Sequence, residues 1–167
     1  MTEWVTLSFA LNSEADTVRL AEALAALLCP GDVLALAGDL GSGKTALARA
    51  LIRARTGPEE DVPSPTFTLV QVYPTSGGPV WHFDLYRLCA PDEVWELGWE
   101  EALAEGIALV EWPDRLGDLC PAVTLTLTLT MAADAPEARQ AIVRGLAAFW
   151  QSRLSALQTL PFCHLSP

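Results

Sequence analysis

The stretch Gly38-Asp39-Leu40-Gly41-Ser42-Gly43-Lys44-Thr45 holds residue types at a spacing that chemistry can use. Its order, G-x-x-x-x-G-K-[ST], is that of a phosphate-binding loop. Glycines let the backbone fold tightly enough for successive N–H groups to face phosphate oxygens. A helix starting at the end of the loop adds partial positive charge at the same place. Lys44 is the only lysine in 167 residues; the other basic residues are all arginines. A compact, mobile ammonium suits the β- and γ-phosphates of a nucleoside triphosphate, where a rigid guanidinium fork is no simple substitute. Thr45 offers its hydroxyl to Mg²⁺. Gly38, Asp39, Leu40, Gly41, Ser42, Gly43, Lys44 and Thr45 are therefore expected to bind nucleotide, Lys44 acting in catalysis and Thr45 as a metal ligand.

Such a loop needs a carboxylate on a neighbouring strand to hold the metal. Glu111 follows "IALV" at the end of a buried-type strand, and Asp84 ends "VWHF". Both are expected at the metal and in catalysis, one on Mg²⁺ and the other orienting the attacking water. The spacing does not divide the roles. The plainer reading of each acid is a helix cap or an ion pair with Arg87 or Arg115. His82 shares a strand face with Asp84, as a support for that acid or, preferably, as a hydrogen-bonded structural residue. Trp112 is a base-stacking ring or a core ring. In "VPSPTFTLV", Ser64-Pro65-Thr66 forms an extended loop before a strand. Thr66 there senses a γ-phosphate, or the loop is a proline-fixed connector.

The elements that must position these residues follow from periodicity. Trp4 to Ala10 alternates as a strand, and a helix capped at Ser13 follows, ending at Pro30-Gly31. "DVLALAG" is a short apolar run of the kind covered on both faces, and "KTALARALIRART" is helical. "TFTLVQVYP" and "PVWHFDLY" read as strands joined by "TSGG". The stretch from Ala90 to Gly106 is mostly helix, broken at Gly98, and "GIALVEWP" is a buried strand. "AVTLTLTLTMA" puts Val123, Leu125, Leu127, Leu129 and Met131 on one face and threonines on the other. "DAPEARQAIVRGLAAFWQSRLSAL" reads as a closing helix, and residues 158–167 as a loose tail after one domain over residues 1–157. The expected class is α/β, three-layered, with a mixed sheet flanked by helices.

A net charge of −11 disfavours a stand-alone nucleic-acid binder, because such a surface repels phosphate backbones. No apolar run approaches the roughly 20 residues needed to cross a bilayer, and "MTEWVTLSF" lacks the regions of a secretion signal. The expectation is a cytoplasmic protein without a membrane partner. Cys29, Cys89, Cys120 and Cys163 are scattered; they are expected to be reduced thiols, several of them buried, and zinc is not expected. Six acids and no base lie between Pro91 and Gly106, with Trp95 and Trp99 one helical turn apart. That segment is a solvated helix face over a core, or an acidic, aromatic docking surface for a basic partner.

"GDLGSGKT", "SPTFTLV", "HFDLYRL", "ELGWEE" and "LVEWPDRL" occur in the order and spacing of the TsaE family, small bacterial ATPases needed to make threonylcarbamoyl-adenosine in transfer RNA. The chain resembles that family closely from Gly38 to Leu116, more weakly in the first helix and around "EARQAI", and in nothing beyond about Trp150. The resemblance implies an ATP and Mg²⁺ site at Gly41 to Thr45, Asp84 and Glu111, with Thr66 in a switch-like loop and Trp112 near the nucleotide. It also implies a mixed sheet, slow ATP hydrolysis, and work with TsaD, the transferase, and TsaB, its scaffold. In that scheme hydrolysis resets the complex between turnovers. A small-molecule kinase is the main rival, though its arginine-bearing lid has no counterpart in the dispersed arginines. A guanine-reading N-K-x-D motif is impossible, because the sole lysine is in the loop.

Overall fold

The computed structural model describes residues 1–165. Twelve regular elements succeed one another: β1 (Trp4–Leu11), α1 (Glu14–Leu27), β2 (Val33–Ala37), α2 (Lys44–Thr56), β3 (Val70–Tyr73), β4 (Val80–Asp84), α3 (Trp99–Glu105), β5 (Ile107–Glu111), β6 (Leu125–Ala132), β7 (Ala135–Leu146), α4 (Ala147–Leu154) and β8 (Cys163–Leu165). Turns of 3₁₀ helix cover Pro91–Leu97, Pro113–Leu119 and Ser155–Thr159.

All eight strands join one sheet in the order β3-β4-β5-β2-β6-β7-β1-β8. β4, β5, β2 and β6 run parallel, and the pairs beyond them on either side are antiparallel. The parallel strands must be covered to keep their backbones dry, and they are. On one face Leu34, Leu36, Leu109 and Leu127 meet Leu20 and Leu24 of α1 and Leu47 and Leu51 of α2. On the other, Val33, Phe83, Ala108 and Val110 pack under Val94, Trp99 and Leu116 from residues 91–119. The three-layer α/β arrangement expected from the sequence is therefore present. Along β6 Thr126 and Thr128 stay partly exposed and Thr130 exposed, as the alternation requires, but of the apolar face expected from Val123 to Met131, Met131 is exposed and Val123, exposed as well, lies before the strand.

Local chemistry sets the helix ends. The Ser13 side chain accepts the Asp16 N–H at 3.2 Å, and Asp16 Oδ2 accepts the Asn12 N–H at 3.0 Å, satisfying donors that α1 cannot use itself. α2 starts differently, from Gly43 in the left-handed region (φ 107°) without a side-chain cap.

Four expectations are corrected. Residues 135–146 do not begin the closing helix; they form β7, paired with both β6 and β1, and helix is confined to Ala147–Leu154. Up to Leu165 the tail is not loose: β8 pairs antiparallel with β1, Ala10 N–H donates to the Phe162 carbonyl at 3.0 Å, and the Phe162 ring meets Phe9 edge-on. Residues 166 and 167 lie outside the described residues. The four cysteines are free, but none is buried: Cys29 and Cys89 are exposed, Cys120 and Cys163 partly so. The strand expected from Thr66 is also shorter, since residues 66–68 turn before β3 begins.

Candidate active site

The sheet places the sequence motifs at one spot. The glycine-rich loop leaves the C-terminal end of β2 and enters α2. Leu36 of β2 lies beside Glu111 of β5, and Glu111 beside Asp84 of β4. Two carboxylates thus stand at the C-terminal ends of parallel strands next to the loop, where α/β sheets gather ligands. A cavity of about 360 Å³ opens there, lined by Leu40, Gly41, Gly43, Lys44, Thr45, Thr66, Asp84, Tyr86, Arg87, Glu111 and Trp112 among others.

Within the loop, Gly38, Gly41 and Gly43 all take positive φ. At Gly38 only hydrogen fits, because a Cβ would come within 2.5 Å of the Leu129 carbonyl on β6. The Lys44 side chain, 5% exposed, folds back so that Nζ donates to the Gly38 carbonyl at 2.7 Å and the Asp39 carbonyl at 2.9 Å. Nζ also lies 4.3 Å from the centre of the Trp112 ring. Burial lowers its pKa from the ordinary 10.5, opposed by the charges of Glu111, Asp84 and Asp39. Among the described residues no carboxylate forms an ion pair with it.

Glu111 is 2% exposed and held from both sides. Thr45 Oγ1 donates to Oε2 at 3.0 Å, and His82 Nε2 lies 2.8 Å from Oε1. His82 is therefore a partner of Glu111, not of Asp84, and its own Nδ1 is buried without a partner. Asp84 accepts the Tyr86 backbone N–H on Oδ1 at 3.1 Å, and the Thr66 hydroxyl on Oδ2 at a long 3.4 Å. Thr66 shares a 2.8 Å hydroxyl contact with Ser64, so a polar relay runs from the loop before β3 to the acid. Neither acid pairs with Arg87 or Arg115: the first guanidinium lies 4.7 Å from the Phe67 ring, the second 6.0 Å from the Tyr86 ring.

Among the described residues, two other than glycine have positive φ, Leu69 and Trp112. Each adjoins an acid: Trp112 follows Glu111, and the Leu69 carbonyl accepts the Asp84 N–H at 2.9 Å. Backbone strain of this kind collects where function over-determines a conformation. Trp112 is half-buried; one part of it packs on the core beneath residues 91–119, and its ring faces Lys44 and lies 5.0 Å from Tyr86. Ser42 lies apart from this constellation, its side chain buried on the far side of the loop with Oγ unpartnered. Tyr86 and Arg87 were missed from the sequence, although "DLYRL" places them directly after Asp84.

No group of three or more His, Cys, Asp or Glu side chains able to hold a metal is found among the described residues. The donors on hand, a threonine hydroxyl beside Glu111 with Asp84 on the next strand, are oxygens of the kind Mg²⁺ prefers. Mg²⁺ commonly takes only one or two carboxylates, completing its shell with phosphates and water. The buried, unpaired Lys44 ammonium and the glycine cradle fit a polyphosphate equally well.

Strand, glycine-rich loop, helix and strand-end acids define a phosphate-loop NTPase-like α/β fold. The match to known proteins is more specific. The chain belongs to the TsaE family: the family model described as threonylcarbamoyl adenosine biosynthesis protein TsaE matches residues 11–141. It is 47% identical over 109 residues to the tRNA threonylcarbamoyladenosine biosynthesis protein TsaE of Rickettsia felis, a match covering 65% of this chain and 64% of that protein. To the protein of the same description from Bacillus subtilis it is 37% identical over 120 residues, covering 71% and 74%. The crystal structure of YdiB from Bacillus subtilis superposes with a TM-score of 0.75 at 26% identity, over 95% of this chain and 96% of that one. The matched region spans somewhat under two thirds of the Rickettsia felis and Rickettsia conorii proteins, 64% and 62%.

Proposed function

We propose that this chain is a magnesium-dependent ATPase that supports threonylcarbamoyl-adenosine modification of transfer RNA by acting on a transferase complex of the TsaD and TsaB type. One observation carries the catalytic part: a buried ammonium with no ion pair among the described residues, at the start of a helix, lining the same 360 Å³ cavity as a hydroxyl–carboxylate pair. An isolated buried charge is costly, and a polyphosphate is the counter-charge that this geometry suits. Membership of the TsaE family supplies the biological setting.

The two acids divide the work by their partners. Thr45 keeps oxygen lone pairs for a cation while its hydrogen stays on Glu111, so these two residues hold Mg²⁺. Bound there, the ion would neutralise charge on the phosphate oxygens and fix their geometry. His82 keeps the Glu111 carboxylate turned toward Thr45. Asp84, with one oxygen only loosely engaged by Thr66, orients the attacking water and accepts its proton. Thr66 and Ser64 make the loop before β3 responsive to the state of the site. Trp112 closes the side of the pocket against Lys44 and offers its other edge to the base.

The decisive measurement is ATP hydrolysis with and without the purified TsaD and TsaB type partners, for the parent protein, Lys44→Ala and Asp84→Asn. Each variant should lose about a hundredfold or more in rate while its circular dichroism spectrum is retained. Undiminished hydrolysis by a folded Lys44→Ala protein would end the proposal. Phosphorylation of a small molecule has no comparable observation behind it, since Arg87, the arginine that lines the cavity, is spread on the Phe67 ring.

A further inference from the structure

Arg139 lies nearly a hundred residues from the glycine-rich loop in sequence, on β7, whose residues read as helix from propensity alone. In space it grips that loop from behind. Its Nε donates to the Ser42 carbonyl at 2.9 Å, and Nη2 reaches the Gly41 carbonyl at 3.5 Å. Nη1 donates to the carbonyls of Ala138, at 3.0 Å, and Pro136. No carboxylate forms an ion pair with this guanidinium among the described residues, although Glu14 and Glu137 line the same small cavity of about 150 Å³. The donor fork is spent on main-chain oxygens, two of them in the loop.

Peptide geometry gives these contacts a consequence. A trans peptide points its C=O and the following N–H in opposite directions, and no peptide bond among the described residues is cis. Drawing the Ser42 oxygen toward Arg139 therefore turns the Gly43 N–H the other way. Gly43 lines both cavities, the small one behind the loop and the large one before it, whereas Arg139 lines only the rear one. Gly43 can take up that orientation because its φ of 107° is open to glycine. The preceding amide, that of Ser42, is already committed to the Asp39 carbonyl at 3.1 Å.

We propose that Arg139 is a positioning residue for the phosphate site: from β7 it fixes the carbonyls of Ser42 and Gly41 so that the amide at the start of α2 faces bound phosphate. It does not touch the nucleotide; it sets the loop that does. Its fixed positive charge behind the loop adds to the field at the helix start. The assignment rests on the ATP-binding reading above, and it names a residue whose loss weakens phosphate binding without removing any group from the pocket.

The test is calorimetric binding of ATP and ADP at millimolar Mg²⁺, with steady-state hydrolysis, for the parent, Arg139→Ala and Arg139→Lys. Arg139→Ala should bind both nucleotides about tenfold more weakly, as expected for loss of a hydrogen bond from a charged donor. KM should rise in step, while kcat at saturation stays within about threefold of the parent. Arg139→Lys keeps one donor of the fork and should recover part of the loss. If the parent binds ATP and both variants bind within twofold of it, the role of Arg139 falls and the ATPase reading stands. If the variants lose melting temperature and kcat together with unchanged Kd and KM, Arg139 is only structural and the proposal is likewise overturned. Should Arg139→Ala not fold, the same criteria apply to Arg139→Lys, for which weakened binding supports the role and parent-like binding overturns it. A parent protein that binds neither nucleotide removes both proposals.

Discussion

The chain spends its only lysine where an ammonium is expensive to keep. Lys44 is buried, held by two carbonyls and a tryptophan face, and its pKa lies below 10.5 chiefly because of desolvation. In the window between that lowered value and 10.5 the unfolded chain binds more protons than the folded one, so raising the pH through the window stabilises the fold. Below the window the burial penalty is fully present. A bound polyphosphate supplies the missing negative charge and should lift the pKa again. Because there is one lysine, ¹⁵N-lysine labelling yields a single side-chain ammonium signal to titrate. We expect its midpoint below 10.5 without nucleotide and higher with ATP; a nucleotide-free midpoint at or above 10.5 would contradict the account. His82 offers a second check. Removing it strands Glu111 Oε1, so His82→Ala should lower hydrolysis by roughly ten- to a hundredfold. Its effect should be strongly non-additive with Glu111→Gln, since both break one contact. Simple additivity in a double-mutant cycle would separate the two residues. Lys44, Thr45 and the strand-end acids were legible because their signal is local: a fixed spacing, or the end of an apolar run. The partner of His82 was not, since the contact runs diagonally from β4 to β5 and depends on their register.

At the level of elements, the alternation of β1 and β6, the unbroken apolar runs of β2 and β5 and the N-terminal cap of α1 could be read directly. β7 could not, and its residues show why. "PEARQA" is rich in helix formers and runs on into a true helix, so propensity favoured one long element. The period-2 signal is weaker but present: Ala141, Val143 and Gly145 are buried, while Gln140 and Arg144 are exposed. Pairing on both sides, with β6 and β1, satisfies the backbone and overrides propensity. Gly145 marks the same constraint, since a Cβ there would fall within 2.5 Å of the Trp150 ring. The tail was obscured for a related reason, because three residues of edge strand carry almost no pattern. Phe162 nonetheless packs on Phe9 in the main core, 7% exposed. Phe162→Ala should therefore cost about 3 kcal/mol of stability, the usual loss for a buried phenylalanine. Denaturant unfolding of Phe162→Ala, beside a chain ending at Leu157, tests this. Parent-like midpoints in both would mean that the segment adds nothing to the core.

At the scale of the whole molecule, charge is the property that reaches furthest. The chain carries −11, and no helix among the described residues is long and apolar enough to cross a membrane. Between Pro91 and Glu105 all six acids are exposed without a neighbouring base in sequence. The two tryptophans of that stretch part company: Trp99 is fully buried against Phe83, whereas Trp95 remains 47% exposed among the carboxylates. Trp99 thus explains the helical spacing as core packing, and Trp95 leaves an aromatic group on an acidic face. A protein of this charge should not bind transfer RNA by itself, and contact with a basic partner should be steered over a Debye length of about 10 Å at 0.1 M salt. We expect association with a TsaD and TsaB type pair to weaken about tenfold between 50 and 300 mM KCl, mainly through the on-rate. Glu96→Lys with Glu100→Lys should slow association further at low salt while leaving ATP binding alone, because neither residue lines the cavity beside the glycine-rich loop. Surface plasmon resonance across a salt series measures both effects. Association indifferent to salt, or quickened by the charge reversal, would show that this face is only the solvated roof of the core.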